Sequence, residues 1–203
     1  MKAIQTVGIV LAVLVALFVC GGLMLPRELE VEESVSIQAP VSNVWKLVGD
    51  LRANEQWSPW KKSDPELVAV FSGPERGIGQ TSEWNTEKSG KGKQVVSEYS
   101  ENELIAMDLD FYERGTGKAA IRLEPQGEAV TVTWSFESEA ENLVARYFQV
   151  LLVKNMLSEE YRMGLAELKT LAEAMPVEVP VAAVDASAPT DASATTDVSA
   201  TAQ

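Results

Sequence analysis

Apolar residues recur at helical spacing from Glu141 to Ala174, well beyond the length of an average globular helix. Leu157, Tyr161, Gly164, Leu165, Leu168 and Leu171 form one stripe, with Glu160, Arg162, Glu167 and Lys169 off it. That pattern predicts an amphipathic helix resting on a core. Upstream, Leu143, Val144, Tyr147, Phe148, Val150, Leu151, Leu152, Val153 and Met156 run nearly all the way round, so this half predicts contact with two apolar surfaces. Ser138 followed by Glu141 reads as a capping box, and Pro176 as the stop.

From Glu66 to Ser138 the period changes to two. Six candidate strands follow: Leu67 to Phe71, Gly79 to Thr86, Gln94 to Tyr99, Leu104 to Tyr112, Lys118 to Leu123, and Val130 to Phe136. Ile105, Met107, Leu109 and Phe111 alternate with Ala106, Asp108 and Asp110, and Val130, Val132, Trp134 and Phe136 with Thr131, Thr133 and Ser135. Gly73-Pro74, Ser89-Gly90, Gly115-Thr116-Gly117 and Pro125-Gln126-Gly127 separate the strands with turn chemistry and short spans, which favours antiparallel hairpins. Ahead of them, Val31, Val35 and Ile37 predict a first strand, and Pro40 opens a short helix through Val41, Val44, Trp45 and Val48. Trp57-Ser58-Pro59-Trp60 predicts a loop or short helix folded onto the core. A one-sided antiparallel sheet must bury its apolar face, and the long helix is the element expected to cover it. The expected fold is α+β, a curved sheet of about seven strands gripping a C-terminal helix, with space for a ligand between them.

Ile4 to Leu25 is an uncharged run of 22 residues, which as a helix spans roughly the hydrocarbon core of a bilayer. The run exceeds the usual signal-peptide core, so a retained anchor is expected, with a cleaved signal at Val19-Cys20-Gly21 as the alternative. A lipoprotein reading is weaker, because Val19 stands where a small residue is wanted before Cys20. Lys2 precedes the run and Glu28, Glu30, Glu32 and Glu33 follow it. The N-terminus is therefore expected in the cytoplasm, with a single pass through the inner membrane and the domain in the periplasm or outside. The division expected is 1–27 anchor, 28–175 folded domain and 176–203 disordered tail, since no aromatic residue follows Pro176.

Charge and rare residues narrow the chemistry. With 17 basic and 30 acidic residues the net charge is -13, which argues against a nucleic acid partner. The tail supplies four of the acids, so the remainder is acidic in its own right. The chain has no histidine, which removes Ser-His-Asp and Cys-His catalysis and histidine metal ligation. Cys20 is the only cysteine and lies in the apolar run, so no disulfide or thiolate cluster forms within the chain. No catalytic residue, metal or cofactor is expected from these motifs.

These residues together resemble the START-like, polyketide-cyclase or SRPBCC superfamily, in its membrane-anchored bacterial form. The likeness covers about Val31 to Glu173. It rests on Ala39-Pro40-Val41-Ser42-Asn43-Val44-Trp45 leading to Asp50, on Trp57-Ser58-Pro59-Trp60, and on Gly77-Ile78-Gly79 followed by Trp84. Leu123-Glu124-Pro125, Val130-Thr131-Val132-Thr133-Trp134 and Gly164-Leu165-Ala166-Glu167-Leu168-Lys169 continue it. The resemblance implies a helix-grip fold of seven antiparallel strands, with a hydrophobic cavity that in relatives holds lipids, sterols, polyketides or other apolar molecules. Some relatives are cyclases or hydrolases, but no motif here matches their acid-base residues.

Met107, Leu109, Trp134, Phe148, Leu152 and Met156 are expected to face inward as cavity wall, or as plain core if the interior is filled. Trp57, Trp60 and Trp84 stand either at the cavity mouth or as caps on the core. Asp108 and Asp110 share a strand face, alternate with the apolar set and are expected to face water. The Gly-x-Gly triplets lack the pattern of a phosphate loop and read as turns. Lys88, Lys91 and Lys93, with Lys61 and Lys62, are read first as solvated, with anionic head groups as the alternative partner. Three functions follow. The first is a membrane-tethered module that binds a hydrophobic small molecule or lipid, held to the membrane through residues 4–25. The second is a cyclase or hydrolase using carboxylates and tyrosines such as Tyr99 or Tyr112. The third is an interaction protein docking a partner, of unspecified identity, on Leu143 to Met156.

Overall fold

The computed structural model describes residues 2–177. Helix α1, Lys2–Met24, leads into β1, Glu28–Ile37, and then into three short helices: α2 Val41–Val48, α3 Leu51–Asn54 and α4 Pro59–Ser63. Six strands follow: β2 Val70–Ser72, β3 Thr81–Thr86, β4 Gly90–Ser100, β5 Leu104–Asp110, β6 Thr116–Gln126 and β7 Ala129–Glu139. The C-terminal helix has three parts, α5 Leu143–Phe148, a π turn Gln149–Val153, and α6 Lys154–Ala174. The low-complexity tail expected after Pro176 falls, from Glu178 onward, outside the described residues.

All seven strands form one antiparallel sheet in the order β1-β7-β6-β5-β4-β3-β2. Hairpins set this order, and β1 closes the far edge by pairing with the last strand, Glu28 opposite Glu139 through Ile37 opposite Val130. Alternation does the rest. Val130, Val132, Trp134 and Phe136 are all buried on the concave side, between half-exposed neighbours on the other. A register shift between Val96 and Glu98 puts a bulge in β4, which bends the strand locally and increases its twist. Gly127 turns β6 into β7 with φ 68°, a left-handed conformation that glycine adopts without strain.

Helix α6 lies across the concave face with Tyr161, Gly164, Leu165, Leu168 and Ala172 buried along one side. It does not cover the sheet alone, as the hydrophobic pattern led one to expect. Val44, Trp45, Leu47 and Val48 of α2 and Leu51 of α3 are also buried in the core, where α2 touches β6, β7 and α6. Three local expectations also change. The cap of the C-terminal helix is Asn142, whose side chain accepts from Ala145 N at 2.9 Å, and not Ser138, which belongs to β7. Strand β3 begins at Thr81, because Gly79 has φ 87° and Gln80 N closes a turn onto the Gly77 carbonyl. Strand β2 is short, with Val68 and Val70 largely exposed.

Candidate functional site

Register assembles the concave floor. Met107 lies opposite Val96 and Ala119, Ala119 opposite Phe136, and Phe136 opposite Val31. One row further along, Leu109 lies opposite Gln94 and Gly117, and beyond it Trp84 lies opposite Gly92. The two glycines matter here. A Cβ on Gly92 would fall inside the Trp84 indole, and one on Gly117 would stand 2.6 Å from the Phe136 ring, so both rings lie flat on the sheet where a side chain is missing. Phe111 joins them, its centroid 6.4 Å from both Trp84 and Phe136. Leu109, Phe111 and Trp84 are half-buried, and the helix residues that pack inward, Val153 and Leu157, are half-buried too. This end of the floor is apolar and incompletely covered.

The middle is filled. Trp134 stacks on Tyr161 with centroids 3.8 Å apart, and Trp57 and Trp60 meet Trp134 edge-on at 5.1 and 5.4 Å. Gly164 lets the helix descend onto this cluster; a Cβ there would stand 3.0 Å from both Pro59 Cδ and Trp134 Cζ3. Trp57 Nε1 donates to the Leu47 carbonyl at 2.9 Å, which gives that indole a structural role. Trp134 Nε1 is buried with no hydrogen-bond partner. Burial pushes the Tyr161 phenol well above its ordinary range, so it stays protonated.

Polar groups pin the edges. Asp64 accepts from the hydroxyls of Thr86 and Ser89, both at 2.6 Å, and Lys88 donates to the Ser63 carbonyl, so α4 is tied to the β3–β4 hairpin that carries Trp84. The Ser89 and Thr86 hydroxyls hold the Asp64 carboxyl below its usual range. Glu33 on β1 accepts from Arg162 Nε and Nη2 at 2.9 Å and from Ser158 on α6, and these hydrogen bonds lower its pKa as well. Gln80 is fully buried and donates to Asp50 Oδ1 at 2.6 Å and the Glu75 carbonyl at 2.7 Å, while accepting from Leu51 N.

The expected site residues divide into three groups. Trp57, Met107 and Trp134 are core. Trp60, Trp84 and Leu109 are half-buried, Trp60 against the filled middle and Trp84 and Leu109 at the uncovered end. Phe148, Leu152 and Met156 do not face inward: they are 57, 58 and 60% exposed. The reason is that α5 turns its other side to α1, where Tyr147 stacks on Phe18 at 4.8 Å, and the π turn carries this outward stripe forward. Phe111, Phe136, Val153 and Leu157 take their places at the site. The first two alternate with polar residues in the sequence, but only the folded sheet shows that Phe111 adjoins Trp84 and that Phe136 adjoins Phe111. Asp108 and Asp110 are exposed, and with Lys93 and Lys118 they border a recess of about 440 Å³ on the outer face of the sheet. Tyr99 lies opposite Ile105 on the concave side and packs against the buried Trp45 at 5.3 Å, as part of the core, whereas Tyr112 is exposed with Lys91 Nζ 4.1 Å above its ring and does not reach the concave floor. Among the described residues, no three histidine, cysteine or carboxylate side chains converge to hold a metal.

A family model described as polyketide cyclase / dehydrase and lipid transport matches residues 28–173. A search of curated proteins finds no match. Similar solved structures include the di-domain ARO/CYC StfQ from the steffimycin biosynthetic pathway, with TM-score 0.55 and 13% identity over 72% of this chain and 51% of that one. Truncated norcoclaurine synthase from Thalictrum flavum gives TM-score 0.55 and 12% identity over 73% of this chain and 96% of that one. A protein from Nitrosospira multiformis gives 0.53 and 21% over 70% and 94%. At these identities the likeness shows the fold alone, and this chain spans about half of StfQ.

Proposed function

This chain belongs to the polyketide cyclase / dehydrase and lipid transport family, and from that premise we propose that it is a membrane-tethered module binding a hydrophobic small molecule or lipid between the concave sheet and the C-terminal helix. The observation that carries the reading is the unfinished end of the core. Trp84, Leu109 and Phe111 are only partly buried on a floor of apolar side chains, while the other end is closed by Leu165, Leu168 and Ala172. A ligand that covered about 200 Å² of apolar surface there would gain about 5 kcal/mol from water exclusion, against the cost of immobilising it. Helix α1 supports the tether: Ile4–Met24 is long and apolar enough to cross a membrane and is almost wholly exposed. In this reading residues 1–27 anchor the chain in the inner membrane with the N-terminus in the cytoplasm, 28–175 form the binding domain outside, and 176–203 are a low-complexity tail.

The test is native mass spectrometry of the full chain released from detergent, with organic extraction of what it carries and a screen against membrane lipids. One retained apolar molecule per chain is expected, lost when Trp84 and Phe111 are both changed to Ala. A protein that comes through the whole screen empty refutes the reading. A second reading, a cyclase-type enzyme, is favoured by the buried, protonated Tyr161 stacked on Trp134, whose N–H has no partner, two hydrogen-bond donors held within an apolar core. It requires turnover of an apolar substrate that disappears in Tyr161→Phe while ligand retention persists.

A further inference from the structure

Val144, Phe148, Leu151, Leu152 and Met156 are 66, 57, 64, 58 and 60% exposed, five large apolar side chains on one side of a single segment. Over the twelve positions from Val144 to Met156 a regular α-helix would rotate its stripe away by roughly a third of a turn. The π turn at Gln149–Val153 winds less per residue and keeps the stripe aligned. The inward side of the same segment supplies Val153 and then Leu157 to the candidate site. The sequence predicted two apolar surfaces around this segment. Its inward side meets the core and α1, and the outer one faces no other part of the described chain.

The position of α5 identifies what covers it. Gly21 and Gly22 form a notch in α1 that receives Tyr147 and Leu143; a Cβ on Gly22 would stand 3.0 Å from the Tyr147 ring and 3.1 Å from Leu143 Cδ2. Tyr147 Oη donates to the Phe18 carbonyl at 2.9 Å, and Arg146 Nη1 donates to the Gly22 carbonyl at 3.2 Å. With α1 ending at Met24, those carbonyls lie about 9 Å and about 3 Å from the end of the span. That is the depth at which an amphipathic helix lying in a bilayer interface buries its apolar face, about 5–10 Å. Lys154, which is exposed, flanks the stripe on a long side chain able to reach head groups.

We propose that residues 143–156 lie in the interfacial layer of the lipid bilayer beside α1, with Val144, Phe148, Leu151, Leu152 and Met156 among the acyl chains. The proposal rests on the reading of α1 as a membrane span and deepens it. The helix that roofs the uncovered end of the concave floor is then itself in the membrane, so an apolar ligand passes between acyl chains and floor without crossing water. The test uses the full chain with Cys20→Ser and single spin-labelled cysteines at Leu14, Phe148, Leu152 or Glu159, in nanodiscs of phosphatidylcholine and phosphatidylglycerol. Collision with oxygen and with a water-soluble nickel reagent is then measured. Labels at Phe148 and Leu152 are expected to lose nickel collisions to the level of Leu14 and to keep oxygen collisions, while Glu159 stays open to nickel. If Leu14 is in lipid but Phe148 and Leu152 behave like Glu159, the interfacial helix is overturned and the anchor stands. If Leu14 itself meets nickel, both fall. Labels at Phe148 and Leu152 shielded from both reagents would show a protein partner or a second copy on this face, which overturns the proposal.

Discussion

Truncating Trp134 separates packing from hydrogen bonding at the centre of the grip. The side chain is 7% exposed, stacked on Tyr161 and flanked by Trp57, Trp60 and Gly164. Removing a core tryptophan costs about 3–5 kcal/mol, and the lost ring contacts argue for the upper part of that range. The indole N–H argues for the lower part: it is buried without an acceptor, and deleting it relieves a desolvation cost of about 1–3 kcal/mol. Trp134→Ala should therefore destabilise by about 3 kcal/mol, a fall in Tm of about 6–12 °C for a chain of this size. Trp134→Phe keeps a ring on Tyr161 and loses the N–H, so its cost should be about 1 kcal/mol. The assay is thermal unfolding of the full chain in detergent, followed by near-ultraviolet circular dichroism, which reports aromatic packing. A Phe variant that melts as low as the Ala variant would refute the reasoning, because the fold would then depend on the N–H rather than on the ring. An Ala variant within about 3 °C of the parent would show that the interior is not packed around this residue.

Gly92→Ala forces the Trp84 indole off the sheet, and should cost about 1–3 kcal/mol and abolish retention of the apolar ligand in native mass spectra; unchanged retention would remove Trp84 from the site. Glu33 is held ionised in the fold, so its contribution is fully present above its unfolded-state pKa and is lost as pH falls through its lowered folded value. Glu33→Gln should accordingly lower stability slightly near neutrality and flatten the acid side of the Tm-against-pH curve, an effect kept small by the exposure of Arg162. Asp64→Asn should loosen α4 from the β3–β4 hairpin, seen as faster amide exchange at residues 59–63 and 86–90 with α6 unaffected; equal exchange in both proteins would show that the hydroxyl contacts hold nothing in place.

Much of this architecture was legible because the strands carry their own period. Met107 and Leu109 against Asp108 and Asp110 states which side of β5 is wet without reference to any other strand, and hairpins of short span leave little choice of neighbours. What the chain does not state locally is which residues meet across strands. Phe111 and Phe136 stand 25 positions apart, and only the combined register of β3 to β7 sets Phe111 between Trp84 and Phe136, with Gly92 and Gly117 making room beneath the Trp84 and Phe136 rings. Ser138 failed as a helix cap for the same kind of reason. Pairing of Glu28 with Glu139 extends β7 past it, so that Ser138 joins the strand and accepts from Gln149 Nε2 instead.

The C-terminal helix shows the limit most clearly. Its apolar residues from Leu143 to Met156 announce two contact surfaces, and periodicity alone assigns Phe148, Leu152 and Met156 to the core as readily as to the outside. The Gly21-Gly22 notch decides between them by drawing Tyr147 and Leu143 onto α1, which turns the opposite stripe away from the sheet. An unpaired apolar stripe in water would be an aggregation liability, and it is tolerable only where something apolar meets it. On the proposed reading of α1 as a membrane span, a helix that abuts its end has that partner at hand, and the surplus hydrophobicity that obscured the inward face in the sequence becomes the feature that would tie the domain to lipid.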